Sequence, residues 1–167
     1  VKGLGAVGWK LCERLSAAGA RLAVADIRAE AAARAVAAFG AAAEAAERAH
    51  AEPADIYAPC ALGGELSAET IPEIAAPVIC GAANNQLATA EDAARLAARG
   101  ALYCPDYLVN AGGLIRVAMS AAGLSERDAE AKLRALPGTL DAILDEAERA
   151  GRSPADIADA RADPRRA

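Results

Sequence analysis

The stretch Gly3-Leu4-Gly5-Ala6-Val7-Gly8 contains three glycines with the spacing G-x-G-x-x-G. Glycines at these positions permit a tight turn, a close backbone approach to a pyrophosphate and tight packing of the following helix. Apolar residues at helical spacing continue over residues 7–18, and the free N–H groups at the start of such a helix attract anions. The segment therefore predicts a dinucleotide site, whereas a plain glycine turn is the simpler alternative.

An acidic residue follows the motif at a suitable distance. The short apolar run 22–25, typical of a buried parallel strand, ends at Asp26, near the offset of about 20 residues expected for such motifs. A carboxylate there bonds the ribose hydroxyls and repels a 2′-phosphate, which favours NAD over NADP. Arg28 keeps NADP open, since an arginine nearby accepts that phosphate.

Strand-like and helix-like segments alternate after Asp26. Further strands are predicted at 55–58, 77–80 and 101–104, and helices at 29–39, 41–51, 67–74 and 90–99. For residues 41–51, a solvated connection is the alternative to a helix. This alternation predicts an α/β fold, namely a Rossmann-type doubly wound parallel sheet. Because only Val1 and Lys2 precede the motif, we expect the first strand to be truncated.

After Gly112 the sequence pattern predicts helices and no further strands. A helix begins near Ser125, Pro137-Gly138 is expected to interrupt it, and a further helix covers residues 139–150. A short helix from residue 154 and a frayed end at residues 164–166 complete the chain. We therefore divide it into a dinucleotide-binding domain, residues 1–120, and a C-terminal helical segment, residues 121–167.

Three segments rich in small residues follow the predicted strands, at 58–64, 81–86 and 105–113, and the last two also carry amides. In an open parallel sheet, ligands bind outside the carboxyl ends of the strands. From the residues alone, an equally good interpretation is that Asn and Gly simply make turns there.

Composition excludes several other classes of function. The net charge is −5 and only 3% of residues are aromatic, so no basic, stacking surface for nucleic acid is expected. No apolar run is long enough to span a membrane, and no signal peptide is visible. Four scattered cysteines and one histidine predict no metal site and a reducing, cytoplasmic location. We expect Cys60 to be a packing residue. We assign no functional role to His50.

The glycine motif together with 58–64, 81–87 and 105–113 resembles the Glu/Leu/Phe/Val amino-acid dehydrogenase family, especially its leucine, valine and phenylalanine branch. The resemblance covers most of residues 1–120. It implies an NAD-dependent enzyme for reversible oxidative deamination of an L-amino acid to a 2-oxo acid and ammonia. It further implies a homo-oligomer for the full-length protein.

The resemblance also implies roles for individual residues. The pyrophosphate would lie on Gly3, Leu4, Gly5, Ala6, Val7 and Gly8. Asp26 would bind the adenosine ribose, and Ile27 is a further cofactor contact. The cofactor cleft would be lined by Cys60, Ala61 and Ala82. Asn84 would lie beside the nicotinamide and the substrate carboxylate, Asn110 would face the nicotinamide, and Val117 would touch the substrate side chain.

The chain also departs from the family pattern. Members carry their catalytic lysines and a catalytic Asp in an N-terminal domain, and Lys2, Lys10 and Lys132 do not fit those positions. Met119-Ser120 stands where an acidic pair is usual. We therefore expect the cofactor-binding portion of a longer enzyme, with no catalytic residue of its own and no activity alone.

Two alternatives belong to other classes of protein. One is a free-standing NAD-binding or regulatory module without catalysis. The other is a different Rossmann oxidoreductase, of which the short-chain type is disfavoured because no Tyr-x-x-x-Lys is present.

Overall fold

The computed structural model describes residues 1–163, and its centre is a parallel β-sheet. The strands are β1 (Ala23–Val24), β2 (Ala42–Ala43), β3 (Ile56–Tyr57), β4 (Val78–Ile79) and β5 (Leu102–Tyr103). The helices are α1 (Ala6–Ala17), α2 (Ala29–Phe39), α3 (Glu91–Ala98), α4 (Asp106–Val109), α5 (Gly112–Ala121), α6 (Glu126–Ala150) and α7 (Pro154–Ala162). Short 3₁₀ turns lie at Ala49–Ala51 and Ile71–Glu73.

Lys2 joins the two halves of the sheet. Strand β1 pairs with β2, strand β4 lies between β3 and β5, and Lys2 forms parallel bridges to Ala25 and Pro59. The strand order is therefore β2, β1, the Lys2 stretch, β3, β4, β5. That order is the doubly wound Rossmann arrangement, in which the first strand is central. The predicted α/β fold class is confirmed.

Small side chains build most of the core. One buried cluster beneath α1 and α2 includes Leu4, Cys12, Val24 and Ala35, while Ile79 belongs to a second cluster beneath α3. A third cluster joins α6 to α7, and α7 also contacts β5. Alanine contributes little buried area, so these helices approach the sheet closely.

The helix predicted over residues 41–51 is wrong. The backbone N–H of Ala42 donates to Leu22 O at 2.8 Å, and that of Glu44 donates to Val24 O at 2.8 Å, which makes residues 42–43 the edge strand. Pairing with β1 outweighs the high helix propensity of alanine, because propensity differences are small compared with tertiary contacts.

The predicted interruption at Pro137 is also wrong, since α6 continues through it. A proline inside a helix costs about 3 kcal/mol. Contacts of α6 with α5 and α7 oppose that cost, as does a capping box in which Ser125 and Asp128 bond reciprocally.

The division at residues 120 and 121 falls at the end of α5 and stays a prediction. The frayed end predicted at residues 164–166 lies outside the described residues. Among residues 1–163, no helix has the length and apolar character needed to cross a membrane.

Candidate functional site

The glycine turn is held by close backbone contacts. Gly3 has a φ of 97°, and a Cβ there would lie 2.7 Å from the backbone nitrogen of Ala61. A Cβ on Gly8 would lie 1.9 Å from the carbonyl oxygen of Gly3. Gly5 differs, because a Cβ there meets nothing within 4 Å. Gly3 and Gly8 are thus required for packing, whereas Gly5 faces open space.

Helix α1 begins directly behind that open space. Its N-cap is Gly5, no side chain caps it, and its first turn holds no acidic residue. The first N–H groups of a helix lack partners within the helix and carry its positive dipole end. The arrangement suits a phosphate group.

Asp26 connects the end of β1 to the glycine turn. Its Oδ2 accepts a 2.7 Å hydrogen bond from the backbone N–H of Leu4, and its Oδ1 accepts bonds from the backbone N–H and Nε of Arg28, at 2.9 and 3.1 Å. Arg28, with help from the Leu4 N–H, lowers the pKa of Asp26 to about 2. The carboxylate is therefore ionised at neutral pH. Its side chain is 7% exposed, whereas that of Arg28 is 62% exposed.

Two surface clefts flank this region. One, of about 480 Å³, is lined by Leu4, Gly5, Ala6, Trp9, Lys10, Arg28, Glu30, Ala31 and Arg34. The guanidinium of Arg34 lies 4.7 Å from the centre of the Trp9 ring, which also packs on Phe39. The other cleft, of about 560 Å³, includes Asp26 and Ile27, and the Ile27 side chain is 90% exposed. An apolar side chain so exposed is available to a flat apolar ligand.

The amides of Asn84 and Asn110 meet at the ends of β4 and β5. Nδ2 of Asn110 donates a 2.6 Å hydrogen bond to Oδ1 of Asn84. Asp106 connects the segments that follow β4 and β5 through two hydrogen bonds. Its Oδ2 accepts from the backbone N–H of Asn85 at 2.8 Å, and its Oδ1 accepts from the Tyr103 hydroxyl at 2.7 Å. Burial and that carboxylate raise the pKa of Tyr103, which therefore stays a neutral donor.

Cys60 and Ala82 are also brought together. The backbone N–H of Ala82 donates to the Cys60 sulfur, and burial raises the thiol pKa above its ordinary value. Cys60 thus stays protonated at neutral pH, as expected of a packing residue. Val117 lies on α5 with its side chain 68% exposed, so it is open to a ligand.

A buried polar cluster lies near β3, and the sequence did not predict it. Nζ of Lys2 bonds Glu65 at 2.6 and 2.7 Å, and the Tyr57 hydroxyl donates to Glu65 at 2.9 Å. His50, to which the sequence assigned no role, is 5% exposed and lies 3.1 Å from the carboxylate of Glu73. No spacing in the sequence predicts this cluster, because its residues come together only in the folded chain.

Comparisons with known proteins agree with this geometry. Residues 22–153 match the model of the glutamate/leucine/phenylalanine/valine dehydrogenase family. The chain is 43% identical over 170 residues to a valine dehydrogenase of Streptomyces albus, covering 100% of this chain and 47% of that protein. It is 41% identical over 151 residues to a leucine dehydrogenase of Bacillus cereus, covering 90% of this chain and 41% of that protein. The chain thus spans less than half the length of these relatives.

Solved structures show the same likeness. An L-tryptophan dehydrogenase from Nostoc punctiforme superposes with a TM-score of 0.92 at 39% identity, covering 99% of this chain and 50% of that one. A hetero-hexameric glutamate dehydrogenase from Thermus thermophilus gives a TM-score of 0.67 at 25% identity, covering 92% of this chain and 42% of that one.

Proposed function

The chain belongs to the glutamate/leucine/phenylalanine/valine dehydrogenase family, and on that premise we propose that it forms the NAD-binding part of an amino-acid dehydrogenase. The reaction is reversible oxidative deamination of an L-amino acid of the leucine, valine or phenylalanine kind, giving a 2-oxo acid and ammonia. The observation that carries the proposal is the 2.7 Å bond from Leu4 N–H to Asp26, which sets a carboxylate beside the glycine turn.

The adenosine half of NAD fits the residues around this bond. The pyrophosphate would lie on the N–H groups at the start of α1, in the space left open at Gly5. The ribose hydroxyls would donate to Asp26 after the exposed side chain of Arg28 moves aside. The exposed side chain of Ile27 would offer apolar surface to the base. The negative charge of Asp26 favours NAD over NADP.

The nicotinamide half fits the ends of β3, β4 and β5. Asn84 and Asn110 offer amide groups that match a carboxamide and the substrate carboxylate, while Cys60 and Ala82 would form the wall of the cleft. NAD, when bound, accepts a hydride from the substrate Cα. Val117 would contact the substrate side chain.

The proton transfers of this reaction need a base, for which a lysine of lowered pKa is suited. Among residues 1–163, Lys2 is paired with Glu65, Lys10 is paired with Glu13, and Lys132 lies on the exposed side of α6. We therefore propose that this chain, although it would carry the NAD site, does not turn over substrate alone.

Two assays test these proposals. Isothermal titration of the purified chain with NAD is expected to show binding, and absence of binding would overturn the cofactor assignment. NADH formation with L-Leu, L-Val or L-Phe is expected only from the complete open reading frame that encodes these residues. Turnover by the chain alone would contradict its proposed inactivity. No turnover by the complete product would favour the non-catalytic NAD-binding module instead.

We also propose that the complete protein is a homo-oligomer in the cytoplasm. Family membership supports this, and light scattering of the complete product measures the assembly.

A further inference from the structure

Cys80 and Cys104 lie side by side at the carboxyl edge of the sheet. The register places Ile79 of β4 opposite Tyr103 of β5, so the next residue of each strand is also opposite, and the N–H of Cys104 donates to Ile79 O at 2.9 Å. Neighbouring strands are about 4.8 Å apart. Disulfides span Cα distances of about 4.4–6.8 Å, so this pair needs little backbone movement to form one.

The two thiols already interact. The neighbouring Cys104 thiol, through a hydrogen bond, lowers the pKa of Cys80 to about 7, while the same interaction and burial raise the pKa of Cys104. Cys60 also lies near Cys80, and burial is the main cause of its raised pKa. The lowered pKa favours the thiolate form of Cys80, which is the reactive form.

The two cysteines also differ in access. Cys80 is partly exposed, whereas Cys104 is 4% exposed. A reactive, accessible thiolate beside a second, sheltered thiol is the usual arrangement of a redox-sensing cysteine and its resolving partner. Buried structural cysteines such as Cys12 lack both properties, because Cys12 is fully buried and its pKa is raised.

We propose that Cys80 and Cys104 are a reversible redox pair, in which Cys80 reacts with an oxidant of the peroxide class and Cys104 closes the disulfide. The Cys80 thiolate attacks one peroxide oxygen, the O–O bond breaks and hydroxide leaves, giving a sulfenic acid. The Cys104 sulfur then attacks the Cys80 sulfur, the S–O bond breaks, and water leaves with the Cys104 proton. Overall, two thiols and one hydrogen peroxide give one disulfide and two waters.

The position of the pair connects it to the candidate site. Cys80 directly precedes the loop that carries Asn84, and Cys104 directly precedes the segment that carries Asn110. A covalent link would fix the strand ends from which both loops start. Formation of the disulfide does not depend on the proposed function.

The test treats the purified chain with hydrogen peroxide and compares intact mass and non-reduced peptide maps. The unaltered chain is expected to lose the mass of two hydrogen atoms, to yield a Cys80–Cys104 linked peptide, and to recover both thiols with dithiothreitol. Cys80→Ser should prevent the link. Cys104→Ser should accumulate a sulfenic acid at Cys80 that dimedone traps. Cys60→Ser is the matched control, since Cys60 is also partly exposed, and it should keep the link.

Peroxide treatment of the unaltered chain tests the proposal even if a variant does not fold. Two free thiols at Cys80 and Cys104 after peroxide treatment would overturn the proposal. A linked peptide that contains Cys60 or Cys12 in place of Cys104 would overturn it as well.

Discussion

Asp26 accepts a 2.7 Å hydrogen bond from the backbone N–H of Leu4, and this bond fastens the glycine turn to the end of β1. In the NAD complex that we propose, the same carboxylate would also accept the ribose hydroxyls. One side chain would then serve both the shape of the site and its charge.

Replacing Asp26 by Asn should change the cofactor preference without opening the turn. The amide oxygen still accepts from Leu4, while the charge that repels a 2′-phosphate is lost. We expect the Kd for NAD to rise about tenfold, in line with a lost charge-assisted hydrogen bond, and the Kd for NADP to fall. Calorimetry with both dinucleotides measures this, with the exposed Asp55→Asn as control. An unchanged ratio of the two affinities would rule out the role of Asp26.

The same variant should alter acid stability. The pKa of Asp26 is lowered to about 2 in the folded chain. Its stabilising effect is therefore complete above its ordinary value in unfolded chains, about 3.9, and is lost as pH falls towards 2. The difference in free energy of unfolding between the unaltered chain and Asp26→Asn should shrink from about pH 5 to about pH 2. Urea unfolding at several pH values measures it, and two parallel pH profiles would contradict the interpretation.

Alanine at Gly8 and at Gly5 should separate folding from binding. A Cβ on Gly8 would overlap the carbonyl oxygen of Gly3, so Gly8→Ala should destabilise the chain by about 1–3 kcal/mol or more. A Cβ on Gly5 meets nothing, so Gly5→Ala should fold normally yet bind NAD more weakly, because the methyl group occupies the pyrophosphate position. Thermal unfolding and NAD titration are run on both, and normal NAD affinity in Gly5→Ala would contradict this placement.

Asn84 and Asn110 should act as a unit in NAD binding. Each alanine variant breaks the same 2.6 Å hydrogen bond, so the second substitution should cost less once the first is made. We expect a coupling energy of about 0.5–1.5 kcal/mol in a double-mutant cycle of NAD affinities. Additive effects would mean that the two amides contact the cofactor independently or not at all.

Pro137→Ala should stabilise the chain, because it restores a backbone N–H in the middle of α6 and removes a ring that crowds the preceding turn. We expect a gain of about 1–3 kcal/mol in the free energy of unfolding. Gly138→Ala is the neighbouring control, with open space at its Cβ and an expected gain of about 0.5–1 kcal/mol. A loss of stability in Pro137→Ala would mean that the packing of α6 depends on the proline.

Local patterns predicted much of the fold. The helix over residues 29–39 was predicted with the bounds that α2 has, because its composition is helical and Gly40 ends it in the left-handed conformation. The strands were found as short apolar runs, each about one residue too long at either end. Strand β2 was missed because two alanines carry no strand signal of their own and depend on pairing with β1.

The candidate site likewise has a part that the sequence predicts and a part that it does not. The glycine turn and Asp26 are close in sequence and could be predicted together. The bond between Asn84 and Asn110, the carboxylate of Asp106 beneath them and the contact of Cys80 with Cys104 all depend on the register of β4 and β5. Register is set by packing over the whole sheet, so a single sequence does not reveal it.

The central place of Lys2 has a consequence for the order in which the sheet forms. Strands β1 and β2, and likewise β3 to β5, pair with neighbours close along the chain, so each half closes short loops. The Lys2 stretch meets Pro59 only after a much longer loop has closed. We therefore expect the amide hydrogens of Lys2 and Cys60, which bond to Ala58 O and Lys2 O across this junction, to gain protection from exchange last during refolding, after each half has formed its own hydrogen bonds.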